Sequence, residues 1–177
     1  MFRIPAILVV CAIAQLFFQE TTDARVKSLK EIREAGVIIQ QWDTSCAAAA
    51  LATVLTYSLR HPVSERAVAQ GMLKKTDPLK VKHRGGFSLL DMKRFVEARG
   101  FEARAMKGFA MDDLVFFDGA IVPINEFGYN HYVIFRGLKG DDKVHLADPA
   151  FGNRTLSKKK FEEMWMDGIV FIVTDGQ

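Results

Sequence analysis

A cysteine, a histidine and an aspartate occur in that order in this chain, each in local sequence that suits a reaction. Cys46 follows the polar run Asp43-Thr44-Ser45 and directly precedes the apolar stretch Ala47-Ala48-Ala49-Ala50-Leu51-Ala52. Asp, Thr and Ser are N-cap types, so this spacing predicts a helix that opens at Cys46. The first N–H groups of a helix lack intrahelical partners, and its dipole favours negative charge there. Thiols in such positions ionise readily and serve as nucleophiles. His131 opens a run of aromatic and β-branched residues that reaches Gly137, directly after a predicted turn at Gly128-Tyr129-Asn130. An imidazole there can face a cleft while the strand fixes its backbone, take a proton from a thiol, and return it to a leaving group. Asp148 ends the next predicted strand, Val144 to Asp148, across a hairpin turn at Lys139 to Asp142. In an antiparallel hairpin the start of one strand lies beside the end of the next, so His131 and Asp148 are expected neighbours. The carboxylate would then hold the imidazole's tautomer and orientation. An aspartate before Pro149 also begins a turn well, which is its alternative role. Gln40, six residues before Cys46, and Gln41 beside it both carry an amide that could join the Cys46 N–H in an oxyanion hole. Spacing alone does not choose between them.

The elements that must position these groups divide the chain in two. The first half reads as helices. Arg25 to Ala35 carries Val26, Leu29 and Ile32 on one face and is stopped by Gly36. The helix from Cys46 to about Leu59 is apolar nearly all round and should be buried centrally. A second helix runs from Ser64-Glu65 to Leu73, and a third from Leu89 to Ala98, capped by Ser88. Between them Lys74 to Arg84 is basic and contains Pro78, and reads as a solvated surface loop. The second half reads as strands: Phe101 to Ala105, Ala120 to Asn125, His131 to Gly137, Val144 to Asp148, Arg154 to Leu156 after a turn at Gly152-Asn153, and Ile169 to Val173. Short helices are expected at Met111 to Phe116 and at Lys158 to Trp165, the latter with Phe161, Met164 and Trp165 in the core. Helices followed by a meandering antiparallel sheet give an α+β fold.

The chain has 177 residues, enough for one domain, and its net charge of +3 is mild. With no stripe of Arg and Lys interleaved with aromatics, nothing marks a nucleic-acid binder. Residues 1–24 differ in character. Arg3 precedes an almost wholly apolar run from Ile4 to Phe18, then Gln19, Glu20, Thr21 and Thr22, with small residues Thr22 and Ala24 at a cleavage position. This is the pattern of a secretory signal peptide, or of an N-terminal anchor if it is retained. The run is short for a membrane span, which needs about 20 apolar residues. The expected organisation is therefore a signal peptide or anchor at 1–24 and a single domain at 25–177. The expected location is periplasmic or secreted, or at the inner membrane through that segment alone. Cleavage would leave Cys46 as the sole cysteine, a thiol that is either buried or reactive. Four scattered histidines and one mature cysteine do not make a zinc set, so no metal or cofactor is expected. Trp42 either walls the cleft or packs on the helix, and Asp43 reads as a turn residue.

The segment Gln40-Gln41-Trp42-Asp43-Thr44-Ser45-Cys46-Ala47-Ala48-Ala49-Ala50-Leu51-Ala52 resembles the active-site segment of the C39 peptidases, the papain-like family known for trimming bacteriocin leaders after a double glycine. Gly86 to Lys93, Asn130 to Ile134, and Asp148 to Gly152 with Leu156, Ser157 and Phe161 are similar to later stretches of that family. The resemblance runs from about Val37 to Ile172. It implies a papain-like fold, with an N-terminal helical part and a central Cys-bearing helix packed on a C-terminal antiparallel sheet. It implies Cys46 as nucleophile, His131 as base and acid, Asp148 as orienting group and Gln40, at the family's usual separation, as oxyanion donor. The implied activity is a cysteine endopeptidase needing no cofactor and acting on a peptide or protein substrate, in a stand-alone exported branch that serves a secretion system. The implied site is a Gly-Gly type sequence. Ala47 stands where the family usually has glycine. That departure keeps two other readings open: a leader-binding module that does not cut, and a papain-like cell-wall amidase.

Overall fold

The computed structural model describes residues 26–176, so the signal or anchor segment expected at 1–24 lies outside the described residues. The helices are α1 (Leu29–Glu34), α2 (Cys46–Thr53), α3 (Glu65–Leu73), α4 (Pro78–Arg84), α5 (Leu89–Glu97), α6 (Met111–Leu114) and α7 (Lys158–Met164). The strands are β1 (Phe101–Met106), β2 (Ile121–Glu126), β3 (Tyr129–Leu138), β4 (Lys143–Asp148), β5 (Gly152–Ser157) and β6 (Val170–Asp175). They form a six-stranded antiparallel sheet in the order β1-β6-β2-β3-β4-β5. The α+β expectation stands.

The central strands read as continuous apolar runs because both faces of the sheet are covered. Alternate residues of the same strand go to different cores: Ile121 and Ile134 pack under α2, α3 and α5, whereas Val122, Val133 and Phe135 pack with Met111, Leu114, Phe161 and Met164 of α6 and α7. Every residue of α2 is buried, and its alanines let the helix lie close against β3. An all-apolar surface leaves no polar face to expose, so a central position is the only stable one.

Local sequence starts and stops most of these elements as expected, although α1 opens at Leu29 instead of Arg25. Ser28, Ser64, Ser88 and Ser157 each accept an N–H from the first turn of the helix that follows, and Ser28 and Ser88 do so within capping boxes. Four expectations need correction. Lys74 to Arg84 is not all loop: Asp77 caps α4, Pro78 fits the first turn without cost, and Gly85 (φ 76) ends it. The helix from Cys46 loses its α geometry at Thr53 and finishes as a π turn over Val54–Ser58. The β2–β3 turn is Phe127-Gly128, so Tyr129 and Asn130 already belong to the ladder, opposite Glu126 and Asn125. Gly152 and Asn153 likewise open β5 instead of making a turn.

The apolar face of α1 is not core. Val26, Leu29 and Ile32 are exposed, and the helix docks on β5 through polar groups. Arg33 donates to the Phe151 carbonyl (2.8 Å), and Asn153 donates to the Ala35 carbonyl (2.7 Å). The approach is close enough that a Cβ on Gly152 would lie 2.5 Å from the Arg33 carbonyl oxygen, so only glycine fits there.

Candidate active site

Cys46 is the first residue of α2 and is nearly buried. The turn before it is closed on the Trp42 carbonyl, which accepts Ser45 Oγ (2.6 Å), the Ser45 N–H (3.1 Å) and Gln40 Nε2 (3.1 Å). Ser45 therefore points back into the turn, and no side chain caps α2. The free N–H groups at the helix start, together with the dipole, leave a region that favours an anion at the sulfur or at an oxygen beside it.

His131 is the third residue of β3, opposite Ile124, and only 14% of its side chain is exposed. Its Nε2 lies 2.7 Å from Asp148 Oδ1, and Cys46 hydrogen-bonds the same ring. Nε2 serves the carboxylate, so Nδ1 serves the thiol. Burial works to push the His131 pKa down. The hydrogen bonds to Asp148 and then to Cys46, with their negative charges, outweigh it and raise it from 6.5 to about 9. The imidazole is thus a cation at neutral pH, held between two groups that favour its charge.

Asp148 ends β4 and is completely buried. Oδ1 accepts the Ala150 N–H (2.7 Å) and the Phe151 N–H (3.3 Å) as well as facing His131. The turn role and the orienting role are one arrangement: the carboxylate that begins the turn is fixed by it, and so presents the same oxygen to the imidazole. Oδ2 makes an ion pair with Arg154 Nη2 at 2.8 Å, without an aligned hydrogen bond. Burial opposes the charge on Asp148, but His131, Arg154 and the Ala150 N–H together hold its pKa below the ordinary carboxylate range.

The two glutamines separate. Gln41 is exposed, and its N–H is held by the buried Glu65 carboxylate (3.0 and 3.2 Å). Gln40 is partly buried. Its N–H donates to the Pro149 carbonyl (2.8 Å) and its Nε2 to Trp42, which ties it to both the Asp148 loop and the Cys46 turn. An amide nitrogen carries two hydrogens, so one remains for another acceptor. Trp42 packs beneath the Arg66 guanidinium, 5.8 Å from the ring centre, which favours its packing role.

Cys46 and His131 line a cleft of about 310 Å³ whose walls include Phe127, Tyr129, Phe151 and Glu126. Phe127 reaches it from the hairpin tip at φ 53, a conformation unusual for a bulky residue. A second hollow of about 250 Å³ also borders Cys46, against Arg84, Gly85, Gly86 and Tyr132. The Tyr132 phenol is pushed up to about 12 by burial first and by Cys46 second, so it stays neutral. The two hollows share Cys46, Gly85 and Asn130 and so form a groove that passes the thiol. Ala47 is wholly buried in the α2 core, so its methyl group does not stand in that groove.

The chain belongs to the peptidase C39 family. The family's model matches residues 34–177. The chain is 41% identical over 149 residues to a protein of Pseudomonas aeruginosa named a probable functional amyloid protease, FapD, and 40% identical over 150 residues to its namesake from Pseudomonas fluorescens. The matches cover 84% of this chain and 65% of each relative. Among solved structures it is similar to a double glycine motif protease from an AMS/PCAT transporter in complex with the leader peptide, at TM-score 0.62 and 26% identity over 77% of this chain and 89% of that one. It also matches the peptidase domain of Streptococcus ComA, a bifunctional ABC transporter, at TM-score 0.63 and 21% identity over 78% of this chain and 97% of that one. These neighbours give the papain-like α+β fold expected from the sequence.

Sequence reasoning missed Arg154, Glu126 and Tyr132. Arg154 was visible only as the first residue of a short strand. Its place beside Asp148 depends on the register that sets Arg154 opposite Leu146, which no residue type announces.

Proposed function

We propose that this chain is a cysteine endopeptidase with Cys46 as nucleophile, His131 as acid and base, Asp148 as orienting group and Gln40 as oxyanion donor. The observation that carries it is His131 bound through Nε2 to a buried aspartate while the same ring hydrogen-bonds the thiol at the start of α2. Cys46 thiolate attacks a peptide carbonyl, and the carbonyl π pair moves to oxygen. The Cys46 N–H and the second hydrogen of Gln40 Nε2 receive that oxyanion. Collapse breaks the C–N bond, and His131 gives its proton to the leaving amine. Water, deprotonated by His131, then attacks the thioester. The second collapse releases the acid and restores the thiolate–imidazolium pair.

The substrate class is a peptide or protein threaded through the groove, with a Gly-Gly type site supported by the double glycine protease among the structural neighbours. The names of the Pseudomonas relatives support a role as a functional amyloid protease. The apolar segment Ile4 to Phe18 supports an exported domain spanning 25–177, located in the periplasm or tethered to the membrane by that segment. The test is incubation of the purified protein with peptides spanning a Gly-Gly site, alongside Cys46→Ala. The expected result is cleavage by the wild type and none by the variant. Equal turnover by the two would overturn the assignment.

A further inference from the structure

The carboxylate behind His131 is itself held by a pair of charges that the reaction does not touch. Arg154 spans two acids. Nη1 and Nη2 donate to Glu126 Oε1 (3.1 Å) and Oε2 (2.8 Å), and Nη2 also lies 2.8 Å from Asp148 Oδ2. The guanidinium and Glu126 are each 18% exposed, and the plane is further fixed by Phe151, whose ring centre is 5.1 Å from Cζ. From the imidazole outward the charges alternate: His131, Asp148, Arg154, Glu126. A fully buried carboxylate with an imidazolium as its sole ionic partner would be costly, and its Oδ2 would be left with no charge to face. The two-point grip of Glu126 aims Arg154 at Oδ2, which leaves Oδ1 for the imidazole.

We infer that Arg154 is a positioning residue, aimed by Glu126, that fixes the Asp148 rotamer and sets the pH at which the Cys46–His131 pair loses its proton. The inference rests on the peptidase reading above and concerns that same site. Its electrostatic half has a definite sign. Removing the Arg154 charge leaves the imidazole facing two acids and strengthens its hold on the proton. Removing the Glu126 charge leaves Arg154 uncompensated and weakens that hold. The other charges near the pair come from separate elements and stay constant in both variants: Asp43 in the turn before α2, Arg33 of α1 on the Phe151 carbonyl, and the Arg84–Asp91 pair beyond Tyr132. Tyr132 itself is neutral.

The test is the rate of Cys46 alkylation by iodoacetamide against pH, measured on the full chain without substrate. In the wild type the rate changes as His131 loses its proton. Arg154→Met is expected to move that transition up, and Glu126→Gln to move it down, each by roughly one pH unit for a single charge at this range. Arg154→Lys keeps the charge and is expected to restore the wild-type midpoint, while its looser grip lowers peptide turnover. A purely structural role would change the amount of reactive protein and leave the midpoint where it is. An unmoved midpoint in Glu126→Gln, or a Lys variant that behaves like Met, would overturn the inference. If Arg154→Met does not fold, Glu126→Gln and Arg154→Lys decide it. Wild-type protein with no fast alkylation near neutral pH would instead remove the peptidase reading, so the two failures are distinguishable.

Discussion

Two aspartates in this molecule are buried almost alike, Asp148 at 0% and Asp91 at 2% exposure, and they are built from the same parts. Each faces an arginine, each accepts backbone N–H groups of a turn or helix start, and each is held below the ordinary carboxylate range against the opposing effect of burial. Asp91 takes Ser88 N–H and Oγ (both 2.8 Å), Thr76 Oγ1 and Arg84 Nη2 (2.7 Å), and so pins the end of α4 to the start of α5. Asp148 takes backbone N–H groups and an arginine ion pair as well, but in place of the hydroxyls it has an imidazole that also bonds a thiol. A buried, charged, well-bonded carboxylate is therefore not in itself a mark of chemistry. The difference lies in the added partner, an imidazole that also bonds a thiol.

Three experiments would break or sharpen that contrast. The largest effect is expected from Asp148→Asn, which keeps the shape but removes the charge that holds His131. Turnover of a cleavable peptide should fall about 10²–10⁴-fold with the fold intact. Asp91→Ala should do the reverse. It should cost about 2–3 kcal/mol in urea unfolding, less than a fully buried pair because Arg84 is 41% exposed, while activity per folded molecule falls far less than in Asp148→Asn. Comparable losses of activity in the two would erase the distinction. The smallest effect near neutral pH concerns the imidazole. Its raised pKa means it is protonated below about 9, so turnover should be level there and fall about tenfold per unit above it. Stability follows the same sign: the contribution of the His131 ion pairs is complete below its ordinary 6.5 and fades as pH rises through about 9. Asp91→Ala should leave this limb unmoved.

Much of the site was legible because its parts sit at element boundaries, where residue type and position speak together. Asp43, Thr44 and Ser45 marked the start of α2, and alternation with hairpin turns brought His131 to Asp148. The two competing readings of Asp148 are compatible, since one oxygen contacts both the turn and the imidazole. The partners of Asp148 were not legible. Arg154 reaches it through strand register, and register shows only when side-chain alternation and turn length are both known; the shift from Gly152 as turn to Gly152 as strand was enough to hide it. In α4 the run of lysines masked a plain start signal, Asp77-Pro78, that the charge pattern outweighed. In α1 the apolar spacing of Leu29 and Ile32 marked the helix but not its contacts: it is anchored by Arg33 and by its carbonyls, and its apolar side faces out.

That anchoring of α1 fixes an order of events in the life of the chain. The loop after Asp148 is secured by Arg33, 118 positions earlier, so the first helix and the fifth strand must both exist before the site has its final form. Contacts of such long range are paid for late in folding. A growing or unfolded chain therefore carries Cys46 for most of its length without its partners, and the arrangement around His131 and Asp148 is complete only at closure.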